Sequence, residues 1–124
     1  MNLTDIIKGR RSVHRFQERE VSPQLITELL DTAVWAPNYH LTEPWRFIII
    51  HGDAKQKLAE TVKAVKESSE TDPEKKKAIG EKIRKKLMSN PMYVIVVMKE
   101  DENPSVREDD FAATCCLIQN FSLL

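Results

Sequence analysis

From Leu25 to Val34 the apolar residues are Leu25, Ile26, Leu29, Leu30, Ala33 and Val34. This three- and four-residue spacing gathers them on one stripe of a helix. Ser22 followed by Pro23 supplies its start, a hydroxyl cap and then proline at the first helical position, and Pro37 closes it. Upstream, Leu3 to Gly9 predicts a short amphipathic turn of helix, with Thr4 as cap and Ile6 and Ile7 as contacts. Trp45 to Ile50, "WRFIII", is too uniformly apolar for a half-exposed strand and predicts one central in its sheet. Gly52-Asp53 turns the chain, and Asp53 is placed to cap a helix running to about Ser68. Asp72-Pro73 repeats the signal and opens a very charged helix to about Met88, which Gly80 is expected to weaken or break. Met92 to Met98, "MYVIVVM", is short and β-branched and predicts a second buried strand. From Ser105 onward "FAATCCLIQNFSLL" is apolar almost all round, the pattern of a helix buried in a core or a subunit interface.

The order helix, helix, strand, helix, helix, strand, helix implies an α+β or α/β sandwich in one domain over residues 1–124. Two strands make a poor sheet, and Ser122-Leu123-Leu124 stops without a helix cap. The domain is therefore expected to be incomplete at its C-terminus, or to be completed by a partner chain. Composition narrows the classes further. Hydrophobic residues are 41% and charged ones 31%, which suits a globular core. Lys plus Arg and Asp plus Glu are 19 each, so the overall balance favours neither a nucleic-acid nor a membrane-surface partner. The run "KKKAIGEKIRKK", Lys75 to Lys86, reads as a solvated face. Cys115 and Cys116 are adjacent in an apolar helical run and are expected to be buried thiols in a reducing compartment. No apolar run approaches a membrane span, and the N-terminus lacks signal-peptide features, so the expected location is cytoplasmic.

Two clusters carry candidate chemistry. Arg10, Arg11, Ser12, His14 and Arg15 place forked guanidinium donors beside a hydroxyl and an imidazole, a set suited to an anion such as phosphate, or simply to a solvated basic loop. "WAPNYHLTEPWRF", Trp35 to Phe47, is too aromatic for an ordinary connection. Trp35, Tyr39, His40 and Trp45 suit the walls of a flat conjugated ring. Trp45 also fits as the first core residue of the strand, and Tyr39 and His40 as dimer contacts. His14, His40 and His51 lack metal spacing, two cysteines cannot complete a zinc set, and three glycines exclude the usual dinucleotide fingerprint. No catalytic triad stands out, as expected where a cofactor carries the reaction.

With "RRSVHRF" standing about 25 residues before "APNYHLTEPWRFIII", the chain resembles the nitroreductase family of FMN-dependent oxidoreductases, and its small compact members most. The resemblance implies an α+β sandwich working as an intertwined homodimer, with FMN at the subunit interface. Arg10, Arg11 and Ser12 would hold the FMN phosphate and ribityl chain, and His14 takes a position where the family often has Lys or Arg. Trp35 and Tyr39 correspond to positions that approach the flavin of the other subunit, and the helix from Ser105 to the long central helix of the dimer. NAD(P)H would be the reductant and a nitroaromatic or quinone the small-molecule acceptor, in a ping-pong cycle with no catalytic acid or base supplied by the protein. Glu43 replaces a common Gln, "NYHLT" departs from the usual loop, and the family's later strands and C-terminal phosphate contacts lie beyond this chain. Rivals are a flavoprotein of the same fold with another task (flavin destruction, dehalogenation, azoline oxidation), a cofactor-free degenerate dimerisation domain, and a basic nucleic-acid module built on Lys75 to Lys86.

Overall fold

Each helix start is written in the local sequence. In the computed structural model, which describes residues 2–124, five helices and two strands follow one another: α1 (Leu3–Gly9), α2 (Pro23–Ala33), β1 (Trp45–Ile50), α3 (Asp53–Ser68), α4 (Pro73–Ser89), β2 (Tyr93–Met98) and α5 (Pro104–Leu123). The side chains of Ser22, Asp72 and Asn103 accept hydrogen bonds from backbone N–H groups in the first turns of α2, α4 and α5, and each is followed by proline. Two expected caps are corrected. Asn2, not Thr4, caps α1, in a reciprocal box with Asp5. Gly52, at φ 53, stands at the N-cap of α3, so Asp53 is the first helical residue and acts through its charge.

Close contacts divide the chain into two units. The first holds the chain up to Val13, Ser22–Ile48 and Ile95–Leu124. Its core gathers Ala33, Ala36, Trp45, Ala113 and Leu117, with Val34, Phe47, Val96 and Phe121 packed against them. Small alanines on α2 and α5 let these two helices approach closely, and the Asn120 side chain donates to the Ala33 carbonyl at the end of α2. Full burial of Leu117 contributes on the order of 2 kcal/mol. Trp45 is 6% exposed and is a core residue of its strand, one of the two readings open for it.

The two strands pair antiparallel, with Lys99 N–H donating to the Pro44 carbonyl where β1 begins and β2 has ended. Neither strand is central or buried on both faces, contrary to expectation. Trp45, Phe47 and Val96 pack into the core while Ile48, Ile95 and Val97 stay open, with Ile48 50% exposed. An apolar run says that both faces avoid water; it does not say which neighbours cover them. Helix α5, expected to be buried in a core or a subunit interface, is covered by its own chain along one side only. One stripe, Asp110, Ala113, Thr114 and Leu117, is buried, whereas Phe111, Ile118 and both cysteines are exposed.

The second unit holds His14–Val21 and Ile49–Val94. Its helices α3 and α4 run antiparallel, since Glu60 pairs with Arg84, Lys63 with Glu81, and Lys55 Nζ donates to the carbonyls of Met88 and Asn90. Helix α4 is continuous through Gly80, which corrects the expected break. Gly80 is buried where α3 passes, and a Cβ there would lie 2.0 Å from Glu67 Oε1, so glycine serves close approach of the two helices.

Candidate functional site

In the first unit α1 ends at Gly9, and Arg10 caps it by donating its N–H to the Ile6 carbonyl at 3.0 Å. Arg11 Nη1 donates to the carbonyls of Lys8 and Arg10, both at 2.8 Å, which folds this guanidinium back over the negative end of the helix. Arg10, Arg11 and Ser12 are exposed, and among the described residues no ion pair engages either arginine. Their remaining donors are turned to water. His14 is also exposed and belongs to the second unit.

The aromatic stretch leaves α2 at Val34 and enters β1 at Trp45. Trp35 is 88% and Tyr39 86% exposed, so neither ring serves the core of its own chain. The Tyr39 ring meets that of His40 edge to face, with centroids 4.8 Å apart. His40 Nε2 in turn lies 2.9 Å from Asp109 Oδ2 on α5. Beyond it, Leu41 and Glu43 hold positive φ angles of 51° and 43°. For residues with a Cβ this conformation costs roughly 1–2 kcal/mol each, and the surroundings must impose it.

What imposes it was not foreseen from sequence. Asp110 is 1% exposed, and its Oδ1 accepts from Thr42 Oγ1 and from Asn38 Nδ2. Asn38 Oδ1 accepts the Glu43 N–H at 2.8 Å. One buried carboxylate therefore holds both ends of the strained turn. The available signal was an acidic residue standing on the stripe of α5 that otherwise buries Ala113 and Leu117.

The structure thus places Arg10, Arg11, Ser12, Trp35 and Tyr39 in one unit, all solvent-facing, and among the described residues no hydrogen bond links the arginine cluster to the aromatic loop. Among the described residues no group of three or more His, Cys, Asp and Glu could hold a metal ion. None of their helices is long and apolar enough to cross a membrane. A shallow hollow of about 560 Å³ in the second unit, lined by Glu18, Lys82, Arg84 and Lys85 among others, contains none of the candidate residues.

The Nitroreductase family model matches residues 7–124. The chain belongs to the nitroreductase family. A Bacillus subtilis (strain 168) protein named "Putative NAD(P)H nitroreductase YfhC" is 42% identical over 123 residues, which is 98% of this chain and 62% of that protein. A crystal structure of a nitroreductase-like family protein from Bacillus cereus matches with TM-score 0.85 at 34% identity, over 99% of this chain and 63% of the other. Oxidised iodotyrosine deiodinase, solved with FMN and 3-iodo-L-tyrosine, matches with TM-score 0.64 at 25% identity, over 98% of this chain and 69% of its own. The chain spans less than two thirds of the length of the two Bacillus proteins. The resemblance seen in "RRSVHRF" and "APNYHLTEPWRF" is borne out, as is the α+β class.

Proposed function

We propose that this nitroreductase chain is part of an FMN-dependent NAD(P)H oxidoreductase, with Arg10, Arg11 and Ser12 holding the flavin phosphate. The observation that carries this reading is the exposed Arg-Arg-Ser cluster, whose guanidinium groups pair with no carboxylate among the described residues. Its donor set fits a phosphate dianion in charge and in forked geometry. The FMN in the iodotyrosine deiodinase structure supports the choice of cofactor, and the name of the B. subtilis relative supports NAD(P)H as reductant.

Trp35 and Tyr39 supply the planar walls. Being turned away from their own core, they suit a ring held against a second copy of the chain, so the working form in this reading is a homodimer. Bound FMN would supply the redox chemistry, accepting hydride from NAD(P)H and passing electrons to a nitroaromatic or quinone acceptor. The side chains bind, orient and shield; none is assigned to carry a proton, and reductant and acceptor would take turns at the bound cofactor in a ping-pong cycle.

The decisive experiment is the visible spectrum of the purified full-length protein with mass identification of what heat releases. Flavin bands and released FMN are expected. A colourless protein that also takes up no added FMN would overturn the reading in favour of a cofactor-free dimerisation domain. Arg10→Ala should raise the Kd for FMN about ten- to a hundredfold, the loss of one charge-assisted contact. An unchanged Kd would remove Arg10 from the phosphate site.

A further inference from the structure

We infer that Asp110, assisted by Asp109, is a positioning residue that holds the Trp35–Pro44 loop in its cofactor-receiving shape before any ligand arrives. The inference deepens the FMN reading above and rests on it for the identity of what the loop receives.

Three observations converge. The first is the burial of a carboxylate on the apolar stripe of α5, beside Ala113 and Leu117. A buried charge is costly unless hydrogen-bonded, and an apolar residue would pack there without that cost. Asp110 directs the acceptor capacity of Oδ1 at Asn38 and Thr42 alone. The second is the backbone of the loop. Leu41 and Glu43 sit at φ 51° and 43°, and the turn containing them is closed by Glu43 N–H on Asn38 Oδ1. The Asn38 side chain is thus used at both ends, its oxygen by the loop and its nitrogen by α5, and it cannot rotate without losing both contacts. The third is the neighbouring chain of contacts, in which Asp109 holds His40 at 2.9 Å and the rings of His40 and Tyr39 meet edge to face. Two adjacent carboxylates therefore fix the turn and the exposed ring it presents.

A loop held in this way loses little further conformational freedom on binding, which is where preorganisation gains affinity. The arrangement also explains why "NYHLT" stands in this loop: Asn38, His40 and Thr42 are the three residues whose side chains reach α5.

The test uses the full-length protein and two variants. Asn38→Ala/Thr42→Val removes the loop side of the clamp and leaves α5 intact. Asp110→Leu removes the α5 side, and should it fail to fold, the loop-side variant still decides the matter. Amide hydrogen exchange at Leu41 and Glu43 and the Kd for added FMN are measured for each. Exchange at these two amides is expected to rise about tenfold or more, and the Kd to rise about three- to tenfold, while exchange in α5 stays within about twofold of wild type. Unchanged exchange would show that the clamp does not hold the loop. Faster exchange with an unchanged Kd would show that the held shape is not the one the cofactor uses; either result overturns the inference. A wild-type protein that binds no FMN overturns the functional reading, and with it the assignment of the loop to a cofactor, whereas the exchange rates still report separately whether Asp110 holds the turn.

Discussion

Tyr93 shows how one side chain ties two elements together. Its hydroxyl donates to the Leu87 carbonyl at the end of α4 at 3.0 Å and accepts from Asn90 Nδ2 at 2.8 Å. Partial burial pushes its pKa above the usual 10.0, and the Asn90 hydrogen bond pulls the other way by less. The neutral phenol is the form the fold favours. Its contribution is therefore fully present below about pH 10 and fades as pH rises through the raised value. Tyr93→Phe should lower the unfolding free energy by about 1 kcal/mol at neutral pH and flatten the alkaline loss of stability. Urea titrations at pH 7 and pH 10.5 check both, and a variant as stable as wild type at pH 7 would show these hydrogen bonds to be energetically idle. Tyr93 was legible only as a strand residue, because its partners lie before the strand, in the end of α4 and the turn after it. Asp110 was missed for a different reason: its partners are 68 and 72 positions away.

Among the elements, the α3–α4 pair depends on a glycine that local propensity counts as a defect. A mid-helix glycine costs about 1 kcal/mol relative to alanine, yet α4 does not break at Gly80. Packing against α3 outweighs the local preference, which is how tertiary contact usually settles marginal helices. Gly80→Ala should change stability by less than about 1 kcal/mol, since the helix gain offsets the displacement of the flexible Glu67 side chain. Gly80→Leu should cost about 1–3 kcal/mol by forcing the helices apart. Thermal melts of the two variants check the contrast, and equal melting temperatures would place the helices further apart than described. Helix starts, by comparison, were readable at Ser22-Pro23 and Asp72-Pro73, which each combine a cap with a pre-set φ, whereas Asn103-Pro104 carries the same signal for α5 and was not read.

For the molecule as a whole, the apolar surface left open is the informative quantity. Trp35, Tyr39, Leu41, Phe111 and Ile118 are exposed in the single chain, as are Cys115 and Cys116, which were expected to be buried. Under the proposed homodimer this face of α5 is covered by the second copy. Both thiols should then react with an aromatic disulfide reagent at least about tenfold more slowly in the native protein than after unfolding in guanidinium. Rapid labelling of both cysteines in the native protein would argue against a dimer built on this face.

By itself the sequence determined the order and the limits of the elements, the α+β class, the basic cluster at Arg10 to Ser12 and the aromatic loop, because caps, prolines and apolar spacing act over a few residues. Motif pairing also carried the family, since "RRSVHRF" and "APNYHLTEPWRF" are contiguous strings. Only the tertiary structure decided which apolar faces are covered, that Gly80 is a contact rather than a break, and that Asp110 holds the loop. Each of these depends on residues brought together from distant parts of the chain, and neither local spacing nor propensity carries that information.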